Sequence, residues 1–327
     1  MLYKFPPAAR QMAIAGRITS DDVLTLRKLV YPDGKISQTE ADWIFELNHA
    51  CGDVDPAWST LFVEALTDFL VYQMEPQGYL SDDNASWLIG HVARDGKVEG
   101  LREMELLVHV MQKSTQTPRS LKLFVLNAVR DAVITCAGPL RQRTPQKWAT
   151  VCADDVQLLQ STLFALGSEG NVSITREEAE VLFAINEATK NAVNDPAWNN
   201  LFAKAIANHV MMAAGYEPAT REDALKREKW AEDHSVSIGR FFGKMASGVS
   251  SIFRTQMDDE GWEEKVREMD AKMRMAEVVT ETEAAWLAGH FSKNANLSGA
   301  EQSLLRFIKV EAAQVHPILK PYIDKVA

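Results

Sequence analysis

What most constrains this chain is that it repeats itself. Asp55-Pro56-Ala57-Trp58, followed by Leu61-Phe62 and Ala65, returns as Asp195-Pro196-Ala197-Trp198, Leu201-Phe202 and Ala205. Trp87-Leu88 and Gly90-His91 return as Trp286-Leu287 and Gly289-His290. Residues 94–98 line up with 293–297, Pro118 with Pro317, and the segment opening at Asp22-Val23 with the one at Asp155-Val156. Matched blocks in one order at a long period indicate a supersecondary unit used twice. The expected organisation is a first half at 1–138, a linker at 139–148 and a second half at 149–327. The halves differ mainly by an insertion. Met74 to Tyr79 is a short connection in the first, whereas its counterpart in the second runs over about 216–278. Functions are often added in such extended connections.

The repeated unit reads as helical. Trp43, Ile44, Leu47 and Ala50 fall on one face at helical spacing, as do Leu61, Phe62, Ala65, Leu66, Phe69 and Leu70. Ser37 to Glu40, Thr175 to Glu178, Thr280 to Glu283 and Ser298 to Glu301 each have the form of a capping box. Asp55-Pro56 and Asp195-Pro196 place an acid at the N-cap and a proline at the first helical position. No period-2 run is sustained, and 17 glycines with 12 prolines are few for this length. The expected class is all-α, two tandem helical bundles with a helical insertion in the second.

Composition narrows the function. There are 45 acidic and 35 basic residues among 327, a formal charge of −10, which disfavours wrapping a phosphate backbone. No apolar run reaches the roughly 18 residues a membrane span needs, and the opening MLYKFPPAAR lacks a signal-peptide core. A cytoplasmic location is therefore expected, with no nucleic-acid partner. Cys51, Cys136 and Cys152 are too scattered for a disulfide framework or a zinc site.

Several connections pair a glycine turn with an apolar residue and a capped helix. Pro32-Asp33-Gly34-Lys35-Ile36-Ser37 and Arg94-Asp95-Gly96-Lys97-Val98-Glu99 are two; Ser168 to Ser173 is a looser third. They resemble the back half of an EF-hand loop, where glycine stands at position 6. Calcium also needs oxygen ligands at positions 1 and 3. Those positions are Leu29 and Tyr31 before Gly34, and His91 and Ala93 before Gly96. A tight turn followed by a helix cap explains Asp33, Glu40 and Asp95 as well as a metal does.

The segments KLVYPDGKISQTEADWIFEL and HVARDGKVEGLREMELLVHV resemble the TerB-like family of small all-helical domains, named for tellurite resistance. That family carries an Asp-Gly-x-Val/Ile-Ser-x-x-Glu turn leading into a helix. The resemblance implies a helical bundle working in stress-response or membrane-associated assemblies, with bound divalent metal in some members. No acidic metal cluster of the family maps onto this chain.

Other chemistry is sparse. His91 and His290 stand at equivalent places after Trp-Leu-x-Gly. They read either as a metal- or ligand-binding pair or as imidazoles closing the ends of two helices. Trp58, Trp198, Trp87 and Trp286 read as core anchors. No nucleophile elbow, Walker loop, zincin motif or dinucleotide fingerprint is present. No cofactor and no enzymatic activity are expected.

The insertion stands apart. Residues 235–256 contain no acid. Ile238, Phe241, Phe242, Met245, Val249, Ile252 and Phe253 fall within an arc of about 120° on a helical wheel, opposite Arg240, Lys244 and Arg254. Gly239, Gly243 and Gly248 each cost a helix about 1 kcal/mol relative to alanine, so burial of the stripe has to supply the stability. Its partners in that burial are the chain's own core, another protein or an anionic membrane surface. The leading expectation is a non-enzymatic interaction or adaptor protein. It acts through this insertion, in the cytoplasm or peripheral to the inner face of a membrane. The alternative is a divalent-metal sensor built on Asp33, Glu40, Asp95, His91 and His290.

Overall fold

The computed structural model describes residues 5–75, 77–94, 96–98, 100–164, 174–212, 278–293, 296–312 and 314–326. Helices account for 72% of the described residues, and the strands are three pairings of two residues each, so the class is all-α. By contacts the chain forms two compact units. Among the described residues the first comprises 5–128 and 137–145, the second 129–136, 146–164 and everything from 174 onward. Residues 139–148, read above as a linker, contain the short helix Pro139–Arg143.

The first unit opens with α1 (Pro7–Ala15), α2 (Ser20–Val30), α3 (Gln38–Ala50) and α4 (Pro56–Thr67). It continues through a π-helical turn (Asp68–Gln73) to α5 (Asp82–Val92), α6 (Leu101–Lys113) and α7 (Arg119–Thr135). α7 runs across the boundary between the units at residue 128. After the short α8 (Pro139–Arg143), the second unit has α9 (Ala153–Leu163), α10 (Arg176–Thr189) and α11 (Pro196–Met212). It resumes with α12 (Glu281–Phe291), α13 (Gly299–Glu311) and the short α14 (Lys320–Ile323).

Local sequence explains the boundaries. The Ser37, Thr175 and Ser298 hydroxyls accept from the backbone N–H of Glu40, Glu178 and Glu301, and each glutamate returns a bond to the cap residue's N–H. Two of the four orphan donors at each helix start are thereby satisfied. The fourth expected box is absent: Thr280 makes no side-chain cap, and Glu283 keeps a buried carboxylate oxygen with no hydrogen-bond partner. Asp55 and Asp195 cap the helices behind them identically, each Oδ1 accepting the N–H of the residue two ahead at 2.9 Å.

Packing repeats as well. In the first unit α4 is the central helix, packed against α2, α3 and α6; in the second α11 packs against α9, α10 and α13. Trp58, Leu61, Phe62 and Leu66 are buried on α4, and Trp198, Leu201, Phe202 and Ile206 on α11. Asp55 N–H donates to Ile18 O, and Asp195 N–H to Val151 O, both at 2.8 Å. Tyr79 bridges Gln116 in parallel, as Val278 pairs with Gln314.

Candidate functional site

In each unit a tryptophan, a histidine and a carboxylate meet over a phenylalanine. His91 follows Trp87 by one helical turn, so both project from one face of α5. His91 packs on Phe45 of α3 (ring centroids 4.9 Å apart) and on Trp87 (4.3 Å). Its Nδ1 is 2.9 Å from Trp87 O, and its Nε2 lies 3.2 Å from Asp42 Oδ1. Across the second unit, His290 stacks on Phe183 of α10 at 3.8 Å and meets Trp286 edge-on at 5.1 Å. Its Nε2 lies 3.3 Å from Glu180 Oε2. Phe45 and Phe183 each then contact the next aromatic inward, Phe62 at 5.4 Å and Phe202 at 5.1 Å.

The second cluster is the more ionic. Arg176 places its guanidinium carbon 4.2 Å from the Trp286 ring centroid, and the Trp286 indole donates to Glu180 Oε1 at 2.7 Å. Burial alone would raise the Glu180 carboxyl. The indole bond, His290 and Arg176 together outweigh it and hold the group below its usual range. His290 is lowered too: burial disfavours its charged form more strongly than Glu180 supports it.

A second polar node lies deeper. Asn48 is buried; its Nδ2 donates to Glu103 Oε1 (2.6 Å), while its Oδ1 accepts from Trp58 Nε1 (3.1 Å) and Arg102 Nε (2.8 Å). The amide orientation follows from its neighbours, since a carboxylate only accepts and indole and guanidinium only donate. α3, α4 and α6 are thus tied at one side chain. In the second unit Asn186 is the counterpart, but it bonds Ser298 Oγ, with Nδ2 at 3.1 Å. Trp198 Nε1 is left buried and unpartnered. Glu301, at the N3 position that Glu103 holds in α6, is raised by burial despite its bonds to Ser298.

The expected metal positions fall into other roles. Asp33 Oδ1 accepts the Lys35 N–H at 3.1 Å, and Gly34 adopts φ 80°, a conformation a side chain would strain. Glu40 closes its capping box on Ser37. Asp95 and the looser loop at 168–173 lie outside the described residues. His91 and His290 belong to different units, each paired with an acid of its own unit. Among the described residues no three His, Cys, Asp or Glu side chains are grouped to hold a metal ion. Burial pushes the Cys51 thiol up to about 11, away from nucleophilic use. The interaction residues Ile238, Arg240, Phe241, Phe242, Lys244, Met245, Val249, Ile252, Phe253 and Arg254 lie outside the described residues.

Sequence reasoning missed Asp42, Glu180, Asn48, Asn186, Arg176 and His209. For four of them a signal was present: carried through the repeat, Asp42 aligns with Glu180 and Asn48 with Asn186, whereas Arg176 and His209 face Gln38 and Phe69. No protein-family model matches the chain, and no curated protein or solved structure matches it. No described helix is long and apolar enough to cross a membrane.

Proposed function

We propose that this protein is a cytoplasmic, non-enzymatic adaptor built from two copies of one TerB-like helical unit. Its partner-binding element is the amphipathic segment 235–255 of the second copy. The observation that carries the reading is an asymmetry in the use of polar groups. In both units the polar side chains singled out by the sequence cap helices or pair over aromatic rings. The insertion that holds the apolar stripe of residues 235–256, by contrast, aligns in the first half only with the short connection from Met74 to Tyr79. An apolar face opposite Arg240, Lys244 and Arg254 suits an acidic protein partner or the anionic inner face of a membrane.

The test compares the intact chain with a 235–255 deletion. Capture from lysate read by mass spectrometry, and flotation with phosphatidylserine vesicles, should both be lost or strongly reduced on deletion while the melting temperature is retained. A destabilised deletion that still binds the same partners and vesicles would end the reading. Calorimetric titration with calcium, magnesium and zinc separates the metal-sensor alternative: saturable binding below millimolar concentration would favour that alternative.

A further inference from the structure

The two tryptophan clusters differ at one position that bears directly on protons. Where the first unit has Phe69 against Trp87 (centroids 5.4 Å), the second has His209 against Trp286 (5.0 Å, near-perpendicular). His209 lies in the last turn of α11. Its Nδ1 is 2.7 Å from the carbonyl oxygen of Ile174, ahead of α10, which places the ring proton on Nδ1 as donor. Its Nε2 is buried and has no hydrogen-bond partner. Adding a proton there creates a buried donor with no acceptor in place, an arrangement that native packing resists.

We propose that the second unit is a pH-responsive element triggered by His209. With the ring neutral, α11 is held against the Ile174 turn and against Trp286 of α12; a second proton on the ring loosens that packing. The first unit has a non-titrating phenylalanine, Phe69, at the equivalent place, and its own histidine lowered by burial, His109 on α6, lies away from the Trp87 cluster.

The charges around His209 are mixed. From α10, Arg176 opposes a further proton and Glu178 favours it; from α12, Glu283 favours it. Burial is the largest influence and sets the direction, lowering the imidazole below its usual value. His290 shifts the same way, with Arg176 and Lys293 opposing Glu180. A histidine whose folded-state value is depressed stabilises the neutral fold fully above its unfolded value. That contribution is lost as pH falls from the unfolded value, about 6.5, towards the depressed one. Within that window each such proton multiplies the opening equilibrium by up to about tenfold per pH unit.

The test is hydrogen exchange on the full chain at pH 7.5 and 5.5, corrected for intrinsic rates and read by peptide mass. Acidification should cut protection in 174–212 and 278–293 by up to about tenfold for each such proton, and more than in α2–α5; α6 carries its own lowered histidine, His109. The substitution His209→Phe, which installs the residue of the first unit, should remove most of that response. Equal loss in both units, greater protection in acid, or an identical response in the variant would each overturn the proposal. Should His209→Phe fail to fold, titration of the wild-type imidazoles by NMR decides. A His209 that titrates below the ordinary histidine value supports the switch, and one at or above it refutes it.

Discussion

The first and second units carry the same frame and finish it differently. Around Asn48 every polar group meets its complement: indole and guanidinium donate to the amide oxygen, and the amide nitrogen donates to Glu103. Around Asn186 the place of the guanidinium is taken by an alanine, Ala300, the amide pairs with a serine hydroxyl, and the Trp198 N–H goes unanswered. The turn before α3 shows the same economy of means. Ile36 N–H is caught by Gln73 at the end of a π-helical turn, whereas Ile174 N–H is caught by Asn208 from an unbroken helix. Helix frame and aromatic core recur in both units, while the groups around the buried polar atoms are exchanged, and in the second unit that exchange leaves the Trp198 N–H unpaired.

That contrast can be broken experimentally. The largest effect belongs to Asn48→Ala, which strands an indole, a guanidinium and a buried carboxylate together. Urea unfolding should register a loss of about 3 kcal/mol or more, against about 1–2 kcal/mol for Asn186→Ala. A reversed order would show that the first node is not the tighter one. Next come the paired substitutions Trp58→Phe and Trp198→Phe. Both lose the same ring volume, but only the first breaks a hydrogen bond, so its cost should exceed the other's by about 1–2 kcal/mol.

A smaller effect attaches to Glu180. Because its carboxyl is held low, its contribution is present above the ordinary glutamate value and lost as pH falls through the depressed one. Glu180→Gln should flatten that acid-side decline. The difference will stay under about 1 kcal/mol, since the side chain is 47% exposed. Smallest is Cys152→Thr, which gives α9 the hydroxyl cap that Thr19 supplies to α2. A gain of about 0.5 kcal/mol in thermal unfolding is expected, and a loss would mean the thiol contact with Asp155 matters more than the cap.

The helical class and most of the helix starts were legible because they rest on single letters at fixed spacing, Asp-Pro and Ser/Thr-x-x-Glu. The failure at Thr280 is instructive: the letters of a capping box are there, but Glu283 leaves a carboxylate oxygen unpaired beneath the surface, where its charge reaches His209. The tryptophans and histidines of the two clusters were visible as repeated words. Their acid partners were not, because Asp42 and Glu180 are different letters, even though the two helices share Glu40/Glu178, Ala41/Ala179, Phe45/Phe183 and Asn48/Asn186 at the same register. Arg176 over Trp286 has Gln38 as its counterpart, so comparing the halves gives no hint of it. Pairing across a fold is a property of three-dimensional neighbours, and comparing the two halves reveals it only where both carry the same residue.

The two asparagine nodes also set an order of events. In the first unit the contact closes across 55 residues, from Asn48 to Glu103, whereas in the second it closes across 112, from Asn186 to Ser298. Doubling a loop costs only about 0.6 kcal/mol at equilibrium, so the second unit carries its long insertion at little thermodynamic penalty. Speed is another matter, since distant contacts must await a slower chain encounter. During synthesis and refolding alike, the first unit will be complete while the second is still searching for its closing helix.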